Sequence, residues 1–207
     1  MGYTPSIKPI NSTVEAIFSR QSCRAFERVD IPHEHVITLA ECARSSPSAC
    51  NYQNVNIFVL EGADKVADFS VGLEETILAD APPIMKRYSG FKKAHSLRSF
   101  VFYDAPVAFF LTGNDIGEKA LHLSSLDASH CSQSIQIAAK SMGYESICVG
   151  CITNPVTSIA VMEYLKAHSP DFPWEEKPQK LMLAVGVGKP KAMKSKPSRK
   201  ENIFFLE

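Results

Sequence analysis

An α+β domain is the fold class this sequence predicts, and three features point to it. Four short apolar runs, 55–60, 106–112, 147–152 and 181–187, have the length and the bounding residues of buried strands. Longer stretches between them repeat apolar residues at helical spacing and carry start and stop signals. With 207 residues, 45% of them hydrophobic and 21% charged, the chain suits one domain with a sizeable core. No internal repeat or low-complexity linker divides it. Residues 1–207 therefore read as a single domain, with an arm over 1–11 and an extension over 189–207.

The elements follow in order. Ser12-Thr13-Val14-Glu15 is a capping box and places a short helix over 13–20. Pro32 takes the first turn of a second helix reaching Arg44, with Val36, Leu39, Ala40 and Ala43 on one face. Ser45-Ser46-Pro47-Ser48 ends it, because proline restricts the residue before it. The strand over 55–60 leads to a helix over 64–78, and Pro82-Pro83 breaks any continuation. Lys86, Arg87, Lys92, Lys93 and Arg98 make 80–104 basic, and Tyr88, Phe91, Phe100, Phe102 and Tyr103 are interleaved with them. That mixture suits a nucleic-acid surface, a lid over a ligand site or plain surface helix. The balanced charge of the whole chain gives the first no support.

A strand bounded by Pro106 and Gly113 precedes the central helix, predicted over 124–142. Its Leu126, Cys131, Ile135, Ala138 and Met142 recur at helical spacing, and Gly143 is a natural stop at C′. Ala128, Ser132, Ala138 and Ala139 are small enough to let another helix pack closely. A strand follows over 147–152. Asn154-Pro155 then caps and opens a helix to about 168, and a last strand covers 181–187.

Composition narrows the function classes. Net charge is zero, so no global field draws the chain to nucleic acid or to a membrane. No apolar run approaches the ~20 residues of a membrane span. The start lacks a basic region followed by an apolar one, so no secretory leader is expected. Met1-Gly2 with Ser6 matches the minimal myristoylation pattern, which is short enough to arise by chance. The six cysteines are scattered through core-forming segments, which favours reduced thiols in a cytoplasmic protein over a disulfide framework. Cys148 and Cys151 form the one close pair. No second pair or paired histidines accompany them, so they read as buried small hydrophobes rather than zinc ligands or a redox dithiol.

The chemistry-bearing stretch is Arg20-Gln21-Ser22-Cys23-Arg24-Ala25-Phe26. In an extended segment Arg20, Ser22 and Arg24 share one face and offer two guanidinium forks and a hydroxyl, the groups that suit a phosphate dianion. About one helix later comes Ser46-Pro47-Ser48-Ala49-Cys50-Asn51-Tyr52-Gln53. Together with Ile31-Pro32, Ala43-Arg44, Asp104-Ala105-Pro106, Met142-Gly143-Tyr144, Val149-Gly150 and Leu183-Ala184-Val185-Gly186, these motifs resemble the flavin-dependent nitroreductase family over roughly residues 12–205. Two positions depart from the family pattern. Gln53-Asn54-Val55 stands where Gln-Pro-Trp is usual, and Arg20-Gln21-Ser22 where Arg-Arg-Ser is usual, which removes one charge. No long insertion between the middle helices marks the deiodinase or flavin-destroying branches.

The resemblance implies a mostly antiparallel central sheet flanked by helices, in an interlocked homodimer that exchanges its C-terminal segment. It implies FMN at the subunit interface, NAD(P)H as co-substrate, and a small electron acceptor such as a nitroaromatic or quinone. Arg20, Gln21, Ser22 and Arg24 would take the phosphate and ribityl end. Pro47, Ser48 and Ala49 would line the ring, and Asn51 would reach it from the partner subunit. Asp127 would lie near the cofactor. Gly150, after Val149, would face flavin N5 with its backbone N–H. Arg199, with Lys196 and Lys200 beside it, would reach the phosphate from the tail. Ile203-Phe204-Phe205-Leu206 ends the chain, and apolar residues there are expected to dock. No general acid, base or nucleophile stands out, which fits catalysis by the flavin. The six histidines are dispersed, and His130 on the central helix reads as structural. The rival reading is a protein that stores or senses flavin with little turnover.

Overall fold

The computed structural model describes residues 8–79, 86–115, 117–193, 195–196, 199–200 and 202–205, with backbone alone for 86–89. The N-terminal pattern and Pro82-Pro83 therefore lie outside the described residues. Strands β1 (Val55–Glu61), β2 (Val107–Asn114), β3 (Glu145–Val149) and β4 (Gln179–Gly188) form one sheet in the order β1-β2-β4-β3. Every neighbouring pair is antiparallel. The helices are α1 (Ser12–Ser19), α2 (His33–Arg44), α3 (Ala63–Ala79), α4 (Lys86–Ala94), α5 (Glu118–Ser141) and α6 (Pro155–His168).

β2 explains the layering. Successive side chains of a strand point to opposite faces. Val107, Phe109 and Leu111 join Leu39, Ala128 and Ile135 under α2 and α5. Ala108 and Phe110 join Phe69, Leu73, Val161 and Leu165 under α3 and α6. Because both faces are covered, the strand is buried from Val107 to Gly113 and reads as an unbroken apolar run. Phe100, Phe102, Phe109 and Phe110 are each 1% exposed or less, and burial of such a ring is worth about 1.5–3 kcal/mol. Phe69 of α3 meets Phe110 edge-on at 5.3 Å and Tyr164 of α6 at 4.5 Å, tying both helices to the sheet.

Most expected elements are present, with informative shifts at their ends. The α1 cap is Asn11, whose side chain accepts from the Val14 N–H at 2.9 Å, rather than Ser12. β1 pairs only with β2, so it is a half-buried edge strand rather than a fully buried one. α5 starts at Glu118, six residues before the expected start, because Gly117 supplies the turn at φ 118°. Its end matches expectation. Gly143 takes φ 83°, Tyr144 N–H donates to Ala139 C=O at 2.9 Å and Gly143 N–H to Lys140 C=O at 3.2 Å, the paired bonds of a Schellman stop. α6 begins as expected, with Asn154 accepting from the Thr157 N–H. β3 runs from Glu145 to Val149 instead of 147–152, since Gly150 leaves extended geometry and a single 3-10 turn, Cys151–Thr153, follows.

The basic and aromatic residues of 80–104 separate in space. Phe100, Phe102 and Tyr103 are buried in the core beneath α3. Lys92 pairs with Glu74 at 2.5 Å, and Arg98 with Asp64 and Asp68. No helix among the described residues is long and apolar enough to cross a membrane.

Candidate cofactor-binding site

The Arg20–Phe26 stretch is extended, as its alternation requires. Ser22 bridges to Ser146, and Cys23 N–H donates to Ser146 C=O at 2.9 Å. The tail closes on its far end, where Glu27 N–H donates to Lys189 C=O and Lys191 N–H to Ala25 C=O, each at 2.9 Å. Cys23, Ala25 and Phe26 turn inward at 1% exposure, while Ser22 and Arg24 turn outward.

A cavity of about 410 Å³ opens over this face, lined by Arg20, Gln21, Ser22 and Arg24 from the stretch and by Met193, Ser195 and Arg199 from the tail. Phe91 and His95, whose rings lie 4.2 Å apart, form another wall. Lys196 sits beside it. Burial, and then the charges of Arg199, Arg20 and Lys140, hold the Lys196 ammonium below the ordinary lysine range. Among the described residues Arg20, Arg24 and Arg199 enter no ion pair. Cations gathered without a carboxylate between them form a site for an anion.

Arg24 also borders a second cavity, of about 80 Å³, with Val149, Gly150 and Cys151. A Cβ placed on Gly150 would meet nothing within 4 Å, so its backbone faces open space. Cys151 is half-buried, as its assignment to the core requires, but Cys148 is exposed. Burial pushes the Cys151 thiol up to about 11, and Cys148, although exposed as a residue, has its thiol raised as well because the sulfur itself is turned partly out of water. A redox dithiol needs a lowered value.

The second sequence stretch stands apart. Pro47 and Ser48 line a cavity of about 220 Å³ with Gln53, Asp127 and Cys131. Ala49–Asn51 makes one 3-10 turn. Cys50, Asn51 and Gln53 take φ of 49°, 56° and 51°, left-handed values that cost a residue other than glycine about 1–2 kcal/mol. Local bonds hold this shape: Gln53 N–H to Ser48 Oγ at 3.0 Å, and Gln53 Nε2 to Asn51 Oδ1 at 3.3 Å. Asp127 is 3% exposed, its Oδ1 accepts from the Ala49 N–H at 3.0 Å, and its Oδ2 has no partner among the described residues.

The chain thus brings Arg20, Gln21, Ser22, Arg24, Lys196 and Arg199 together and joins them through Arg24 to Val149 and Gly150. It keeps Pro47, Ser48 and Asp127 around a separate cavity, with Ala49 and Asn51 in the 3-10 turn that follows. Phe91 was singled out in the sequence only as one aromatic of a basic region, and nothing there marked His95, Met193 or Ser195 as lining residues. His130 is exposed and borders none of these cavities.

The model of the nitroreductase family matches residues 17–189, most of the chain and both motif stretches. This chain belongs to the nitroreductase family. No curated protein sequence matches it significantly. Among solved structures, this nitroreductase-family chain is similar to an FMN-bound nitroreductase from Bacteroides fragilis, with 20% identity, a TM-score of 0.75 and coverage of 95% of this chain and 100% of that one. An FMN-bound nitroreductase from Desulfitobacterium hafniense gives 23% identity and a TM-score of 0.70, over 96% and 100% of the two chains. The NADPH:FMN oxidoreductase of Vibrio harveyi, solved with NAD+, gives 17% and 0.64, over 95% and 80%.

Proposed function

We propose that this protein is an FMN-dependent oxidoreductase that passes hydride from NAD(P)H to a small acceptor of the nitroaromatic or quinone type, and that it works as a homodimer. The observation that carries this reading is the cation-lined cavity over Arg20, Ser22, Arg24 and Arg199, continued past Arg24 to the open backbone of Gly150. These groups fit FMN. The arginines and the Ser22 hydroxyl would hold its phosphate, Lys196 would add charge, and Gly150 would offer its N–H at the ring, where a side chain would stand in the way. FMN, when bound, supplies the redox chemistry, taking a hydride at N5 and giving it to the acceptor.

The chain's own residues bind and orient. Pro47, Ser48, Ala49 and Asn51 line no part of the arginine cavity, and in the homodimer they would serve the ring bound to a second copy. Ile203, Phe204 and Phe205 are 81%, 82% and 92% exposed, apolar surface that a second subunit would cover. The structures of the Bacteroides and Vibrio proteins, with FMN and NAD+ respectively, support the cofactor and the reductant.

The test is the visible spectrum of the purified protein, followed by anaerobic NADH or NADPH and then a quinone. Flavin bands that bleach with the nucleotide and return with the quinone are expected. A colourless protein that takes up no added FMN overturns the reading. Flavin that binds but never bleaches makes the protein a flavin store instead.

A further inference from the structure

We propose that Asp127 is a positioning residue, which holds the 46–53 loop in the shape that presents Asn51 and does so through the backbone rather than by touching a ligand. The proposal rests on the reading above that this loop serves a flavin. Sequence resemblance placed Asp127 at the cofactor. Its Oδ1 is instead engaged by the Ala49 N–H at 3.0 Å, on a side chain 3% exposed. Ala49 opens the 3-10 turn, and the N-cap residue Ser48 gives that turn no side-chain cap. The Ser48 hydroxyl accepts from Gln53 N–H instead. Asp127 therefore supplies, from across the fold, an acceptor for the first N–H of a turn that has no side-chain cap of its own.

α5 acts as a rail for the whole loop. Asp127, Cys131 and Ser134 lie four and three residues apart, so they share one helix face. Ser134 Oγ meets Ser46 Oγ at 2.7 Å, and Cys131 lines the cavity beside Ser46. One end of the loop is thus pinned at Ser46 and its middle at Ala49. Just beyond these pins lie the left-handed residues Cys50, Asn51 and Gln53, a shape the chain does not adopt without support. A buried carboxylate with no cation partner among the described residues is costly to keep. Holding this shape is a reason to keep it.

The experiment compares wild type, D127A and D127N by hydrogen exchange of residues 46–53 and by FMN affinity, with exchange elsewhere as the folding control. D127A should exchange faster in this segment alone and bind FMN at least ~10-fold more weakly. D127N should restore both, because its amide oxygen accepts the same N–H. Unchanged exchange in D127A overturns the proposal. So does D127N with a protected loop but affinity as poor as that of D127A, which would mean that the carboxylate meets the flavin directly. Wild-type protein that takes up no FMN removes the flavin reading, and the exchange comparison then decides the loop-holding role alone.

Discussion

Single side chains decide both the charge at the cavity and the pH behaviour of the fold. Arg20 and Arg199 come from opposite ends of the chain to one cavity. Replacing both with alanine should weaken FMN binding by roughly 10²-fold or more, since each charge-assisted bond contributes about 1.5–3 kcal/mol. Flavin retained through purification of the double variant would remove the phosphate assignment. Burial pushes the Cys23 thiol up to about 11 from the ordinary 9.0. The folded state thus prefers the neutral thiol. That preference contributes fully below pH 9 and is lost as pH rises through 11, by about 2–3 kcal/mol. Thermal midpoints should fall across this window in the wild type and less steeply in C23A; parallel slopes would acquit Cys23. The extended face bearing Ser22 and Arg24 was legible in the sequence because alternate spacing in an extended segment is a strictly local property. The bond of Asp127 to the Ala49 N–H was not, since the two lie 78 positions apart.

Two helix ends were legible because a single residue dictates each. Gly143 and Asn154 marked a stop and a start that the backbone obeys. The start of α5 was missed because Gly117 reads as a breaker while acting as the turn into the helix. β3 was placed late because an apolar run says nothing of where extended geometry ends. Gly113 shows packing that periodicity cannot convey. An added Cβ would overlap Ser124 Cβ of α5 and lie 2.9 Å from its Oγ. G113A should therefore cost about 1–3 kcal/mol and lower the thermal midpoint by several degrees. Gly72, in α3 with nothing within 4 Å of its added Cβ, is the contrast. G72A should raise stability by up to about 1 kcal/mol. Calorimetry of the two variants checks both signs, and equal shifts would contradict the close approach of α5 to β2.

For the whole molecule, assembly is the open quantity. Removal of residues 197–207 takes away Arg199 together with Ile203, Phe204 and Phe205 and should shift sedimentation from dimer towards monomer while lowering flavin content. An unchanged sedimentation profile would show that the tail does not cross to a partner. The fold class followed from four apolar runs and their helical spacers. The strand order β1-β2-β4-β3 did not, because nothing in a run's composition names its neighbour.

The bonds joining residues 25–27 to 189–191 also set a timetable. At about 5–20 residues per second, roughly ten seconds or more of synthesis separate the two halves of the arginine-lined cavity. β4, which bridges β2 and β3, emerges late as well. A nascent chain therefore carries its arginines long before it has a pocket to put them in. On the proposed function, flavin would be captured only by a finished protein, and a yellow colour would report completed synthesis as well as cofactor supply.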